Sequence, residues 1–150
     1  MSTRSTISKL NDGGTITAVY CHSDGYPSYN GKMLLEHYTD SKKVDDLLSH
    51  GDMSFLAENV SPPKGVEHSF ENPHNNTVVF YGRDRGETDT EPKQHKDIAD
   101  FKDFWGDSWC EWAYMFKDGK WYFTDFKWNE KNKNYTINDF KLLTLNDTKE

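Results

Sequence analysis

The stretch Tyr20-Cys21-His22-Ser23-Asp24-Gly25-Tyr26-Pro27 puts a thiol, an imidazole, a carboxylate and two phenols into one turn-rich segment. In extended chain, alternation sends Cys21 and His22 to opposite faces, so Cys21 reads as a small buried residue and not as a nucleophile for that histidine. His22 and Asp24 are the catalytic candidates, as an acid–base or metal-binding pair. They share a side only if the extended geometry persists; the alternative is an Asx-turn at Asp24. No catalytic role is assigned to either. The second segment is Gly82-Arg83-Asp84-Arg85-Gly86-Glu87. The planar fork of arginine suits phosphate and carboxylate, and Arg83 and Arg85 would point the same way in extended chain. With Glu87, Tyr26 and Arg4 they form the candidate ligand-binding set, in a pocket shared by the His22–Tyr26 and Arg83–Glu87 loops. The alternative is an arginine–carboxylate network tying the second loop to neighbours such as Asp24 or Glu36.

Other chemistries find little support. The histidines at 22, 37, 50, 68, 74 and 95 show no HxH or HExxH spacing, and the cysteines form no CxxC pair, so no metal site is expected. No phosphate-binding loop, dinucleotide fingerprint or GxSxG elbow is present, and no cofactor is expected. A net charge of −7 argues against general nucleic-acid binding. Basic residues are interspersed with the acids, so no DNA-like acidic face is expected either. No apolar run approaches a membrane span, and the first residues lack the apolar core of a signal peptide. Cys21 and Cys110 read as thiols in a reducing cytoplasm, where the sequons at Asn75, Asn134 and Asn146 carry no weight.

The chain of 150 residues is expected to form one globular domain. Leu, Ile, Val and Phe together fall under the roughly 20% that often marks disorder, but 5 Trp and 8 Tyr supply an aromatic-heavy core. Two β-prone runs, Ile7 to Leu10 and Ile16 to Cys21, flank the turn residues Asn11-Asp12-Gly13-Gly14. Helical spacing predicts a helix over about 29–39, and a second begins after Asp40, with Val44, Leu47 and Leu48 on one face and His50-Gly51 at its end. Residues 57–76 read as an irregular loop, Thr77 to Tyr81 as a strand, and Ile98, Phe101, Phe104 and Trp105 as a helix face. In the hairpin from Trp109 to Trp128, an Asp118-Gly119 turn sets Phe116 opposite Trp121 and Tyr114 opposite Phe123. Its aromatic face reads as core rather than a base-stacking platform, and its Glu111, Lys117, Lys120 and Thr124 face as largely solvated. A short helix or closing strand over about 136–145 and a frayed tail after about 146 complete an α+β fold. Its antiparallel sheet is built from N-terminal and C-terminal hairpins, with two to four packed helices.

Thr3-Arg4-Ser5-Thr6-Ile7, Tyr20 to Pro27, Leu34-Leu35-Glu36-His37-Tyr38 and Tyr81 to Glu87 resemble, in combination, a family of small uncharacterised proteins of tailed bacteriophages. The family often carries a Trp where Ser23 stands here. The resemblance implies a viral protein expressed in the host bacterial cytoplasm, and it brings no catalytic or binding residues with it. The expected function is that of a phage accessory protein that binds a host protein or a small anionic, nucleotide-like ligand, in counter-defence or host takeover. Whether it is an enzyme stays open, with binding favoured. A small hydrolase or transferase using His22 and Asp24 is the alternative, and a virion structural or assembly role the next. A second copy of the chain, docked on exposed tryptophans, is a further candidate partner.

Overall fold

The computed structural model describes residues 2–149. β1 (Ser5–Leu10) and β2 (Ile16–Cys21) form the first antiparallel hairpin, pairing Leu10 with Ile16 and Ser5 with Cys21. A π-helical turn, Pro27–Gly31, runs directly into α1 (Lys32–His37), and α2 (Ser41–Ser49) follows. Asp40 stands at the N-cap of α2 as expected, although its side chain makes no capping bond. β3 (Met53–Phe55) is separated by the irregular excursion from β4 (Val79–Phe80) and the short helix α3 (Tyr81–Arg85). β5 (Lys93–His95), α4 (Ile98–Trp105), β6 (Trp112–Lys117), β7 (Lys120–Asn129), β8 (Asn134–Ile137) and β9 (Lys141–Leu142) complete the described elements.

The sheet runs β4-β3-β2-β1-β6-β7-β8, with β5 also on β2 and β9 also on β7. The fold is α+β. The sheet is mixed rather than antiparallel throughout: β1 pairs parallel with β6, and β2 pairs parallel with β3. The first hairpin thus inserts its own first strand beside the last one. The β6–β7 hairpin has the expected register, Phe116 opposite Trp121 and Tyr114 opposite Phe123. Asp118 and Gly119 at φ 51° and 78° supply the left-handed turn whose twist matches the strands.

One sheet face carries Ile7, Val19, Tyr114, Phe116, Trp121 and Phe123 against Leu34 and Tyr38 from the first helical segment and Val44, Leu47 and Leu48 of α2. The other face is not left to solvent. Ile16, Ala18, Ala113 and Met115 pack against Phe101 and Trp105 of α4, and Thr124 is buried as well. α4 satisfies its periodicity on one side only, burying Phe101 and Trp105 while Ile98 and Phe104 remain exposed. Where a frayed tail is expected, after about 146, the described residues continue a short turn. Residues Leu145–Thr148 form a 3₁₀ turn closed by a Thr144–Asp147 capping box, with Thr148 buried; Glu150, the end of the expected tail, lies outside the described residues. Among the described residues no helix is long and apolar enough to cross a membrane.

Both cysteines are free and buried. They lie on opposite sheet faces, and burial pushes both thiols up to about 12. Neither supplies a thiolate near neutrality, so both should resist disulfide-exchange reagents until the chain unfolds. Their folded values lie above the unfolded 9.0, so the folded state holds protons that the unfolded chain loses above that pH. Stability should therefore be flat near neutrality and fall as pH rises past 9.0. The check is the urea midpoint at neutral pH against pH 10.0, the ordinary phenol value; an unchanged midpoint would show the thiols are not held in this way.

Candidate anion-binding site

β1 and β2 end side by side. Continuing their register beyond Ser5 and Cys21 sets Arg4 beside His22. The Arg4 carbonyl accepts the Glu111 amide (2.8 Å), and the His22 amide donates to the Met53 carbonyl (3.0 Å), so flanking strands hold both positions. Tyr20 and His22 are two apart and share the face opposite Cys21. The Tyr20 phenol lies 2.7 Å from His22 Nδ1, and the Arg4 guanidinium is near enough to the same phenol to favour its ionisation. Burial pushes the Tyr20 hydroxyl up to about 12, against the opposing pull of Arg4, so it keeps its proton.

The phenol, which keeps its proton, is a donor for Nδ1 of His22 in the tautomer that carries its hydrogen on Nε2. Arg4 and His22 are both half-buried. Among the described residues no carboxylate lies within 4.0 Å of Arg4, whereas Lys9, Arg83, Arg85, Lys102 and Lys133 each have one. The rest of the surrounding face is also polar. Tyr81 lies close enough to oppose ionisation of Tyr20. Asp52 is engaged at its edge by the Tyr20 amide (2.9 Å).

Asp24 does not join His22. At φ 55° it turns the chain, its carboxylate accepts the Tyr26 hydroxyl (2.9 Å), and its carbonyl accepts the Asn30 amide (3.2 Å). The two polar loops are neighbours across β3, but the second is helical rather than extended, so Arg83 and Arg85 diverge. Arg83 makes five hydrogen bonds, to both Asp84 oxygens, the Val60 and Val78 carbonyls and the Ser61 hydroxyl. All its donors are thereby used, none remaining for a ligand. This is the expected alternative of an arginine network, with Asp84 in place of Asp24 or Glu36. Arg85 pairs with Glu87 (3.3 Å) and covers the Phe70 ring.

Two His–Asp pairs not legible in the sequence look catalytic in outline. His68 Nε2 stands 3.2 Å from Asp84 and His95 Nδ1 stands 3.2 Å from Asp100. In each, the second ring nitrogen already accepts an N–H, from the His74 amide (2.9 Å) and from the Trp105 indole (3.0 Å). A general base needs that lone pair for its substrate, so both pairs are structural. No three His, Cys, Asp or Glu side chains come together as a metal site among the described residues. A cleft of about 340 Å³ between α1 and the excursion, where His37 and Glu58 stand 3.7 Å apart, is lined by none of Arg4, His22, Asp24, Tyr26, Arg83, Arg85 and Glu87. Compared with protein-family models, with curated proteins and with solved structures, the chain matches nothing in any of the three.

Proposed function

We propose that the chain is a non-catalytic binding protein that takes a small anion, phosphate or carboxylate, on Arg4 and His22. The observation that carries this reading is Arg4 held beside the Tyr20–His22 pair by the strand register, with no carboxylate within 4.0 Å of it among the described residues. The phage-family motifs add the setting: an accessory protein of infection in the bacterial cytoplasm, whose ligand is a small metabolite or an anionic group on a host protein. Catalysis by His22 is disfavoured because its Nδ1 is engaged by Tyr20 and, among the described residues, no carboxylate pairs with it, Asp24 binding Tyr26 instead.

The test is calorimetric titration with inorganic phosphate at two salt concentrations. Wild type should bind, more weakly at high salt. Arg4→Ala should lose at least about tenfold in affinity, since a charge-assisted hydrogen bond contributes roughly 1.5–3 kcal/mol. Arg83→Ala, by contrast, should lower stability and leave the affinity of the folded protein unchanged. Wild type that binds neither phosphate nor acetate at millimolar concentration would overturn the reading.

A further inference from the structure

We propose that Trp109 is a stacking platform beside the anion site, so that the ligand is a mononucleotide: its phosphate on Arg4 and His22, its base on the indole. This rests on the anion-binding reading above. Trp109 is 81% exposed and makes no ring contact among the described residues, while Trp105 and Trp121 are buried and Trp112 is half-buried. Packing therefore does not account for it. Its backbone sits at φ 70°, where side chains other than Gly, Asn and Asp are strained, and four of the other five non-glycine residues at positive φ are Asp or Asn. A bulky side chain held outward at an energetic cost points to a use for the exposed ring.

Its place supplies that use. Cys110, the next residue, is buried, and the Glu111 amide donates to the Arg4 carbonyl (2.8 Å), which sets this loop against the start of β1. The Ser108 hydroxyl fastens the loop to the Trp105 carbonyl (2.6 Å) and receives the Cys110 amide (3.4 Å). A tryptophan anchored in this way beside a phosphate-binding arginine is suited to a purine or pyrimidine ring, whose face stacks whatever its sequence identity. A net charge of −7 favours a free nucleotide over a polymer.

The experiment titrates the full chain with AMP, adenosine, inorganic phosphate and the dinucleotide pApA, following heat and tryptophan fluorescence. AMP should bind at least tenfold more tightly than phosphate and quench fluorescence. Trp109→Ala should erase that advantage while keeping phosphate affinity, and Trp109→Phe should retain most of it. AMP binding no tighter than phosphate, or an AMP advantage surviving in Trp109→Ala, would overturn the platform and leave the anion site standing. Failure of wild type to bind phosphate would overturn the nucleotide, and failure with acetate as well would remove the anion site itself. Binding by pApA much tighter than AMP would replace the free mononucleotide with a nucleic-acid end.

Discussion

Asp84→Asn is expected to lower the unfolding free energy by about 3 kcal/mol, the scale for breaking a buried ion pair by removing one partner. The Asp84 side chain is 3% exposed and the His68 side chain 2%. Its oxygens receive Arg83 Nε (2.9 Å), Arg83 Nη2 (3.1 Å) and the Phe80 amide (2.8 Å), with His68 Nε2 at 3.2 Å. An amide in its place removes the charge and turns an NH₂ group toward one of these donors, leaving it unsatisfied. The loss should be local first. Arg83 holds Val60 and Val78, and the Asp84 carbonyl accepts the Phe70 amide, so this hub fastens the excursion to the sheet. Urea unfolding gives the magnitude, and faster amide exchange at Phe70 and Phe80 gives the location. Arg85→Ala is the control: its ion pair is about half exposed, and such pairs contribute little. An unchanged midpoint in Asp84→Asn would show the hub contributes nothing to stability.

Gly51→Ala should cost a comparable amount, on the order of 3 kcal/mol from a strained left-handed residue plus overpacking. Gly51 lies between the end of α2 and β3 at φ 81°, and a Cβ there would stand 1.9 Å from the Thr90 carbonyl oxygen. That oxygen is backbone, so no side-chain rotation relieves the clash. Moving it breaks the bond from the Asp52 amide (2.8 Å), beside the strand that carries Tyr20. Gly86→Ala separates the two contributions. Gly86 has φ 79° with open space around it, so only the backbone cost of about 1–2 kcal/mol applies. Thermal melts of the two variants that coincide would show that the contact with Thr90 carries no cost.

What could be read from the sequence was what short-range chemistry dictates. Asp118-Gly119 permits one tight turn, and that turn fixes every cross-strand partner in the aromatic hairpin. Asp40 and Gly51 bracket α2 for equally local reasons. The Arg83 segment brings its two arginines to one side only in extended chain; Gly86 instead ends a helical turn in the left-handed conformation, and the network alternative holds for Arg83. The second core escaped notice because the partner of Ala113 and Met115 is α4, and nothing local to β6 announces it. At the candidate site, the alternation that separates Cys21 from His22 also puts Tyr20 on the face of His22, a consequence the expected His22–Asp24 pair left undrawn. The contribution of Arg4 depended on strand register, which the first hairpin's uneven pattern left open. His68 and Asp84 meet only through the path of the excursion, and no spacing rule connects them.

The parallel pairing of β1 with β6 also governs when this molecule can assemble. The Ser8 hydroxyl donates to the Tyr114 carbonyl across 106 residues of chain, and β1 occupies the middle of the finished sheet. Until β6 has left the ribosome, β1 has a neighbour on one side only, and an isolated two-stranded ribbon is marginal in water. At about 5–20 residues per second, synthesis leaves that edge unpaired for several seconds. Contacts of such separation slow folding, and an unpaired central edge invites strands from other chains. The nascent chain is thus most vulnerable to misassembly in the interval before its central seam closes.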